Sequence, residues 1–305
     1  MPTALDPSLF EPDRARRIEV LAGRQALAFW SDVWRRFRQN IPAMASLILL
    51  IIFALLAILV PMLATRRWDQ VDLLATYQTP SLDHWFGTDA LGRDIWLSIW
   101  FGARVSLTVG LTAALAQMLI GVLIGCFSGL RGGRVDMAIM RFVDIMIAIP
   151  FLIWVSLFVL VLQPGMGSII IAFALTQWTD IARLTRGEVL RLKQTEFVIA
   201  SRALGASNWR LISRHFFPNI LPVIIVAVTF QVTNAIFGEA FLSYIGVGIQ
   251  PPLTSWGQLV SMGISEMRDN PYMLVFPSLA ITLTMLALQL IGDGLRDATD
   301  PKLRQ

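Results

Sequence analysis

Cysteine, histidine and lysine are scarce in this 305-residue chain. Its single cysteine, Cys126, excludes an intrachain disulfide bond. Neither lysine, Lys193 or Lys302, follows a glycine, so the chain lacks the P-loop pattern that holds nucleotide phosphates. The two histidines, His84 and His215, lie outside the apolar runs and have no cluster of further metal ligands nearby. The sequence therefore predicts no metal site, no bound cofactor and no catalytic centre in this chain.

Charge is also low. Charged residues make up 15% of the chain, against about 25% in soluble domains. Hydrophobic residues make up 55%, and the mean hydropathy is +0.64. A membrane-spanning helix needs about 20 mostly apolar residues. Six runs meet that length, which predicts an all-α polytopic membrane protein with six transmembrane helices at 42–63, 104–129, 137–162, 166–184, 217–239 and 272–292.

The arginines predict how the chain is oriented, because short cytoplasmic loops carry an excess of Lys and Arg. Arg24, Arg35, Arg36 and Arg38 lie close to the first span, and seven basic residues lie at the end of the fourth span and between it and the fifth. The loop between the third and fourth spans has none. Both termini are therefore expected in the cytoplasm, and the net charge of +4 reflects topology and not nucleic-acid binding. The expected segments are a cytoplasmic tail (1–41), the first transmembrane helix (42–63), an external segment (64–103), a core transmembrane domain (104–295) and a second cytoplasmic tail (296–305).

Three charged residues within the spans are candidate functional groups, because a lone charge in hydrocarbon is costly. Arg141 and Asp144 are spaced i,i+3 on the third span, which predicts an intramembrane ion pair. A proton relay is the less favoured alternative, since no chain of further acids continues inward. Glu239 lies at the outer end of the fifth span, where two interpretations stay open. It lines a translocation path, or it is a structural carboxylate hydrogen-bonded near the interface.

The polar loop at 185–218 is the most informative segment. It predicts two amphipathic helices that meet at Gly205, with Ser207 or Asn208 as the cap of the second helix and Pro218 at the start of the next span. One face is predicted to carry Val198, Ala203, Leu204, Leu211 and Ile212. From these residues alone, docking of a soluble partner and an ordinary hairpin that stabilises only its own chain are equally supported.

Two further runs flank the predicted spans. HWFGTDALGRDIWLSIWFGARVSLTVG, at 84–110, has glycine turns and charges that can pair locally at Asp89, Arg93 and Asp94. GEAFLSYIGVGIQPPLTSWGQLVSMG, at 238–263, has glycines and prolines that interrupt a helix at membrane depth. Such an interruption is tolerated where the backbone lines a cavity or is packed by protein.

The loop at 185–218 resembles the coupling loop of ABC-importer permeases. That family motif reads Glu-Ala-Ala, three residues, Gly, nine residues, Ile, one residue, Leu-Pro, and it falls here on Ile199-Ala200-Ser201, Gly205, His215 and Phe217-Pro218. The match departs at Ile199, where the family has its acid, and Glu196 lies one helical turn earlier on the same face. The resemblance implies an ATPase-coupling site made of Glu196, Ala200, Ser201, Arg202, Gly205, Ala206 and Pro218.

Together with IGDGLRDATDPKLRQ at 291–305, these runs are similar to the second permease subunit of oligopeptide and dipeptide importers. The resemblance implies a type I ABC importer permease fold (MetI-like) and a non-catalytic subunit in the bacterial inner membrane. The partners it implies are membrane lipid, a sister permease, an external binding protein, a peptide substrate and two P-loop ATPases that bind the ATP and magnesium.

Two alternatives to a peptide importer stay open. The substrate is a nickel chelate, glutathione or a peptide antibiotic, or the chain is a self-sufficient secondary transporter. The secondary transporter is disfavoured, because the sequence has neither paired intramembrane acids nor an inverted repeat.

Overall fold

A computed structural model describes residues 29–300, and every regular element in that range is a helix, apart from one isolated antiparallel bridge between Thr88 and Asp94. The predicted tails, 1–41 and 296–305, lie partly outside the described residues. A π-helical turn, Leu211–Phe216, makes the stretch Asn208–Tyr244 one continuous helix. The helices are α1 (29–39), α2 (Ile41–Leu63), α3 (Ile95–Arg131), α4 (Gly133–Ala148), α5 (Phe151–Leu162), α6 (Met166–Thr176), α7 (Thr179–Leu192), α8 (Glu196–Ala203), α9 (Asn208–Arg210), α10 (Phe217–Tyr244), α11 (Trp256–Ser265) and α12 (Tyr272–Thr299).

Four uninterrupted helices are long and apolar enough to cross a membrane: α2, α3, the continuous helix Asn208–Tyr244, and α12. Their most apolar windows have mean hydropathies between 2.1 and 3.1. Both α3 and the continuous helix have 37 residues. At about 1.5 Å per residue they exceed the roughly 30 Å hydrocarbon core, so both extend beyond it. The all-α polytopic architecture predicted from the sequence is confirmed.

The predicted third and fourth spans are interrupted. α4 and α5 meet at 85°, so the run 137–162 is a bent pair and not one straight helix. The break lies at Ile149, whose backbone is extended (φ −85°, ψ 123°) because the ring of Pro150 disfavours helical geometry at the preceding residue. The run 166–184 consists of α6 and the first turns of α7, which separate at residues 177–178.

α3 is the central helix, and a stripe of glycines lets α7 approach it closely. A Cβ on Gly121 would lie 2.6 Å from Ile181 Cβ, and a Cβ on Gly125 would lie 2.5 Å from the Ala182 carbonyl oxygen. Gly129 continues the same stripe four residues later. Small residues at this spacing allow two helix backbones to pack in direct contact. α7 and α3 are therefore packed backbone against backbone along this stripe.

The 64–94 segment has no helix and is held by turns and side-chain bonds. The Asp89 carboxylate accepts the backbone N–H groups of Leu91 (2.8 Å) and Arg93 (3.0 Å), and it binds Arg93 Nε at 2.7 Å. Local pairing of Asp89 with Arg93, expected from the sequence, is confirmed. Asp94 instead caps α3, where its Oδ1 accepts the Leu97 N–H at 3.1 Å.

Candidate functional site

The segment at 196–217, called the hairpin below, consists of α8, a turn at Gly205, α9 and the π-helical turn. Gly205 has φ +82°, and a Cβ there would meet no atom within 4 Å. The turn therefore needs glycine for its backbone conformation and not for space. Ser207 caps the second helix, since its Oγ accepts the Arg210 N–H at 3.3 Å. The two-helix hairpin with its glycine turn and Ser207 cap is as the sequence predicts.

One side of the hairpin is anchored in the transmembrane core. Val198, Leu211 and Phe216 are each 0% exposed. They pack in one apolar cluster with residues of α3 and α7, which include Leu130 and Val189. The hairpin is thus fixed to the same two helices that the glycine stripe brings together.

The other side of the hairpin presents apolar residues to solvent. Leu204 is 89% exposed and Trp209 is 72% exposed. Ile199, at the position of the family acid, is 56% exposed. The prediction that Leu204 lies on one face with Val198 and Leu211 is wrong. Leu204 follows Val198 by six residues at the end of α8, and a helix of 3.6 residues per turn places it on a different side from Val198. Exposed large apolar side chains that lie together are typical of interaction sites.

The predicted coupling residues divide between this surface and the base of the hairpin. The exposed members are Glu196, Ala200, Arg202, Gly205 and Pro218, and the half-buried members are Ser201 and Ala206. Ser201 Oγ lies 3.1 Å from His215 Nε2, which joins α8 to the π-helical turn. The Glu196 carboxylate forms no salt bridge with any described residue.

A polar cluster that sequence reasoning missed ties the helix ends below the hairpin. The Asp136 carboxylate, on α4, accepts Ser128 Oγ of α3 and a two-pronged contact from Arg186 of α7, with Nη2 at 2.6 Å. Lys193 Nζ donates to the carbonyl oxygens of Gly129 (3.1 Å) and Leu130 (2.9 Å). Burial first, and then the nearby positive charge of Arg202, lower the pKa of Lys193. The cluster fixes the end of α3 to α4 and α7. Its members are too far apart in the sequence for any spacing pattern to predict their contact.

The predicted pair on α4 is part of a triad. Asp144 Oδ2 lies 3.8 Å from Arg141 Nη1, whereas Asp144 Oδ1 accepts a hydrogen bond from Arg183 Nη2 at 2.6 Å. Arg183 lies on α7, so the stronger contact links two helices and is not the i,i+3 contact expected from the sequence. The side chains of Asp144 and Arg183 are about half exposed (48% and 46%).

Comparison with known proteins shows which family the chain belongs to. The family model described as binding-protein-dependent transport system inner membrane component matches residues 121–305. A second model, the N-terminal transmembrane domain of oligopeptide transport permease C, matches 28–80. The chain belongs to the binding-protein-dependent permease family. As a family member it is a transport permease, and with its apolar helices it is a multi-pass membrane protein.

Individual relatives align over nearly the whole permease. It is 45% identical to the oligopeptide transport system permease protein OppC of Bacillus subtilis, over 98% of both chains. It is 43% identical to the dipeptide transport system permease protein DppC of the same organism, over 92% of this chain and 88% of that one. A chain in the inward-facing MetNI methionine ABC transporter structure covers 67% of this permease with a TM-score of 0.55 and 19% identity, and 97% of that chain is matched. This likeness confirms the MetI-like fold.

Glu239 of this permease is fully buried, at 0% exposure. Its carboxylate accepts hydrogen bonds from Ser106 Oγ (3.0 Å) and Ser243 Oγ (2.8 Å). Each serine in turn accepts a backbone N–H: Ser243 Oγ from Ile249 (3.3 Å) and Ser106 Oγ from Trp256 (3.2 Å). In this conformation Glu239 therefore holds the α10–α11 loop (245–255) through Ile249, near its middle, and through Trp256, where α11 begins.

His84 also has a structural environment. It is 7% exposed, its Nδ1 lies 2.9 Å from Asp94 Oδ2, and its Nε2 lies 3.3 Å from Arg66 Nη1. Within residues 29–300, no group of three or more His, Cys, Asp or Glu side chains has the geometry to hold a metal ion. His84 thus links the 64–94 segment to the cap of α3.

Proposed function

We propose that this permease forms half of the translocation path of an ATP-driven importer for oligopeptides or dipeptides. Its partners are a sister permease, two cytoplasmic P-loop ATPases that bind ATP and magnesium, and an external binding protein that delivers the peptide. The high identity to oligopeptide and dipeptide permeases over nearly the whole chain supports the substrate class. The permease itself hydrolyses no ATP.

The observation that carries the coupling role is the two-sided hairpin. A segment whose purpose was only to connect two spans would not need to expose Leu204 and Trp209 while burying Val198 and Phe216. Burial of each large apolar side chain against a partner contributes about 1.5–3 kcal/mol. Leu204 and Trp209 are therefore the main anchors for the ATPase, and Glu196 and Arg202 contribute polar contacts around them.

The anchored side of the hairpin transmits the ATPase movement. One route runs through the π-helical turn into α10, because Asn208–Tyr244 is a continuous helix. A second route runs through α7 into α3, where the glycine stripe and the Asp136–Arg186 contact prevent slippage. Closure of the ATPases thus tilts the helices that surround the path between inward-facing and outward-facing states.

This role also sets the orientation. The hairpin (196–217) lies on the cytoplasmic side, together with the tails 1–41 and 296–305, and the 64–94 segment lies outside. Two contacts with α3 support placing the hairpin and the 64–94 segment on opposite sides. Lys193, three residues before the hairpin, contacts the C-terminal end of α3 at Leu130, whereas the Trp68 carbonyl oxygen of the 64–94 segment accepts a hydrogen bond from Ser98 Oγ near the N-terminal end. The remaining part of the core domain, 104–295, contributes the helices that line the path.

Affinity purification of the tagged chain from solubilised bacterial inner membranes tests the proposal directly. Mass spectrometry should identify a second six-helix permease and two P-loop ATPases in the purified complex. Reconstituted with its binding protein, this complex should accumulate labelled peptide only when ATP is supplied. Recovery of a stable, homogeneous chain that transports without any ATPase contradicts the proposal and indicates a secondary transporter.

A further inference from the structure

A cavity of roughly 420 Å³ lies between the 64–94 segment and the α10–α11 loop. Trp68, Asp69 and Arg93 line it on one side. Residues of the loop and of α11 line it on the other, among them Leu253 and Thr254. Its volume falls in the range of about 300–1,000 Å³ that small-molecule sites occupy. Neither the coupling hairpin nor the polar cluster beneath it contributes to this cavity.

Two polar side chains of the cavity wall have no hydrogen-bond partner among residues 29–300. Thr254 is 6% exposed, and its hydroxyl forms no hydrogen bond with any residue in the described range. The side-chain amide of Gln258 is likewise unpaired there, and its Oε1 is buried. Buried polar atoms nearly always have a hydrogen-bond partner, so the unpartnered Gln258 Oε1, with the unpaired Thr254 hydroxyl beside it at the same cavity, indicates that a ligand supplies one.

The cavity also contains charges of both signs. Asp69 is held by Arg67, whose Nε and Nη2 each donate to it at 3.0 Å. Arg93 uses only Nε on Asp89, and its terminal nitrogens meet no acceptor within residues 29–300. A carboxylate oxygen has more than one lone pair, so Asp69 can accept a further donor. One wall can therefore bind an ammonium group and, separately, a carboxylate.

The opposite wall is held in place before any ligand arrives. The hydrogen-bond chains from Glu239 through Ser106 and Ser243 hold the loop near Trp256 and at Ile249. The loop also packs so tightly on Ser243 that a Cβ on Gly248 would lie 2.1 Å from Ser243 Oγ. A site whose polar groups are already positioned loses less entropy on binding.

We propose that this cavity binds a short peptide with free termini. Asp69 accepts the N-terminal ammonium group and Arg93 binds the C-terminal carboxylate, while Thr254 and Gln258 bind the peptide backbone. Trp68 and Leu253 contact the peptide side chains. The inference rests on the proposed import of peptides and adds a binding site for them on the permease itself.

Photo-crosslinking tests the site on the purified complete complex without its binding protein. The probe is alanyl-benzoylphenylalanyl-alanine, and mass spectrometry maps the residues it labels. We expect labelling at Leu253 or Met262, suppressed by trialanine but not by N-acetyl-trialanine amide. Labelling spread over the complex, or equal suppression by the blocked peptide, overturns the proposal.

Thr254→Val and Gln258→Leu remove the unpartnered polar groups while keeping similar size. Each should raise the trialanine concentration needed for half suppression about fivefold, the effect of losing one hydrogen bond. Thr284→Val is the matched control, because the Thr284 hydroxyl, like Gln258 Oε1, is buried and has no partner among the described residues, but Thr284 lies outside the cavity. An unchanged concentration for both test variants, or an equal shift for the control, contradicts the assignment.

The same preparation separates this inference from the proposed function. If the complex contains ATPases and transports peptide but the probe labels nothing at the cavity, the peptide site is wrong and the importer stands. If no ATPase co-purifies and the chain transports without one, the proposed function is wrong whatever the probe labels.

Discussion

The two ends of α3 are built in opposite ways. At its C-terminal end, the hairpin buries an apolar base and leaves Leu204 and Trp209 exposed. At its N-terminal end, the α10–α11 loop is held by hydrogen bonds that converge on the fully buried Glu239. Apolar contacts are non-directional and tolerate a partner that moves, whereas a buried hydrogen-bond network fixes one geometry. This contrast supports the proposed docking role of the hairpin end, whereas the Glu239 end holds one geometry.

The largest effect is expected where docking is removed. In the double variant Leu204→Asp, Trp209→Asp, two apolar anchors become charges, and ATPase binding should weaken by about 4 kcal/mol, or roughly 1,000-fold. Titration of purified ATPase onto the permease pair measures this loss. Leu82→Asp is the matched control, since Leu82 is 95% exposed on the 64–94 segment, and its binding should stay unchanged. Normal ATPase affinity in the double variant contradicts the docking surface.

The second-largest effect is expected at the N-terminal end of α3, where the Glu239 network can be removed. Glu239→Ala leaves the Ser106 and Ser243 hydroxyls without their buried acceptor, and it should lower the free energy of unfolding by about 2–4 kcal/mol. Thermal unfolding of the purified permease measures the change. Glu266→Ala is the control, because its carboxylate accepts one exposed hydrogen bond, from Tyr77. Equal destabilisation by the two variants shows that the Glu239 network does not hold the loop.

A smaller effect is expected at Gly205, where a pair of glycine variants tests whether the turn needs glycine for its backbone conformation or for lack of space. A Cβ would meet nothing within 4 Å at either Gly205 or Gly187, but only Gly205 has a positive φ. Gly205→Val should therefore cost about 2 kcal/mol at the turn and abolish transport, with the subunit still in the membrane. Gly187→Val should transport normally. Peptide uptake by proteoliposomes that contain each variant measures the difference. Full uptake with Gly205→Val contradicts the requirement for glycine at this turn.

The smallest effect is expected at Glu196, which lies one helical turn before the position of the family's acidic residue. If Glu196 replaces the family carboxylate, Glu196→Ala should weaken ATPase binding by about 1 kcal/mol or less, because the pair is exposed. The loss should shrink as the salt concentration rises. Titration at low and high salt measures both. Unimpaired binding at low salt discards the idea that Glu196 takes over this contact.

The sequence predicted what depends on local pattern. Apolar length predicts the spans, and Gly205 with Ser207 predicts the hairpin turn, because these preferences act within a few residues. It missed what depends on tertiary contact: Asp144 binds Arg183 on another helix, and Asp136 binds Arg186. These partners are separated by 39 and 50 residues, so no helical spacing reveals them.

Two other misses have different causes. The break before α5 could have been predicted from Pro150, a proline inside an apolar run. It was missed because the span was assigned from hydropathy alone. The exposure of Leu204 follows from its position six residues after Val198, which helical geometry places on a different side and which the assignment of one shared face overlooked. The cavity beside Thr254 joins segments more than 150 residues apart and has no local pattern at all.

Maleimide protection tests the central claim most directly. Leu204→Cys and Leu82→Cys place a thiol on two leucines of similar exposure, 89% and 95%, at opposite ends of the permease, and the native Cys126 is only 2% exposed. Labelling rates are measured on purified permease with and without saturating ATPase. The account predicts strong protection of the Leu204→Cys thiol and none of the Leu82→Cys thiol. Equal labelling of both thiols in the presence of bound ATPase contradicts it.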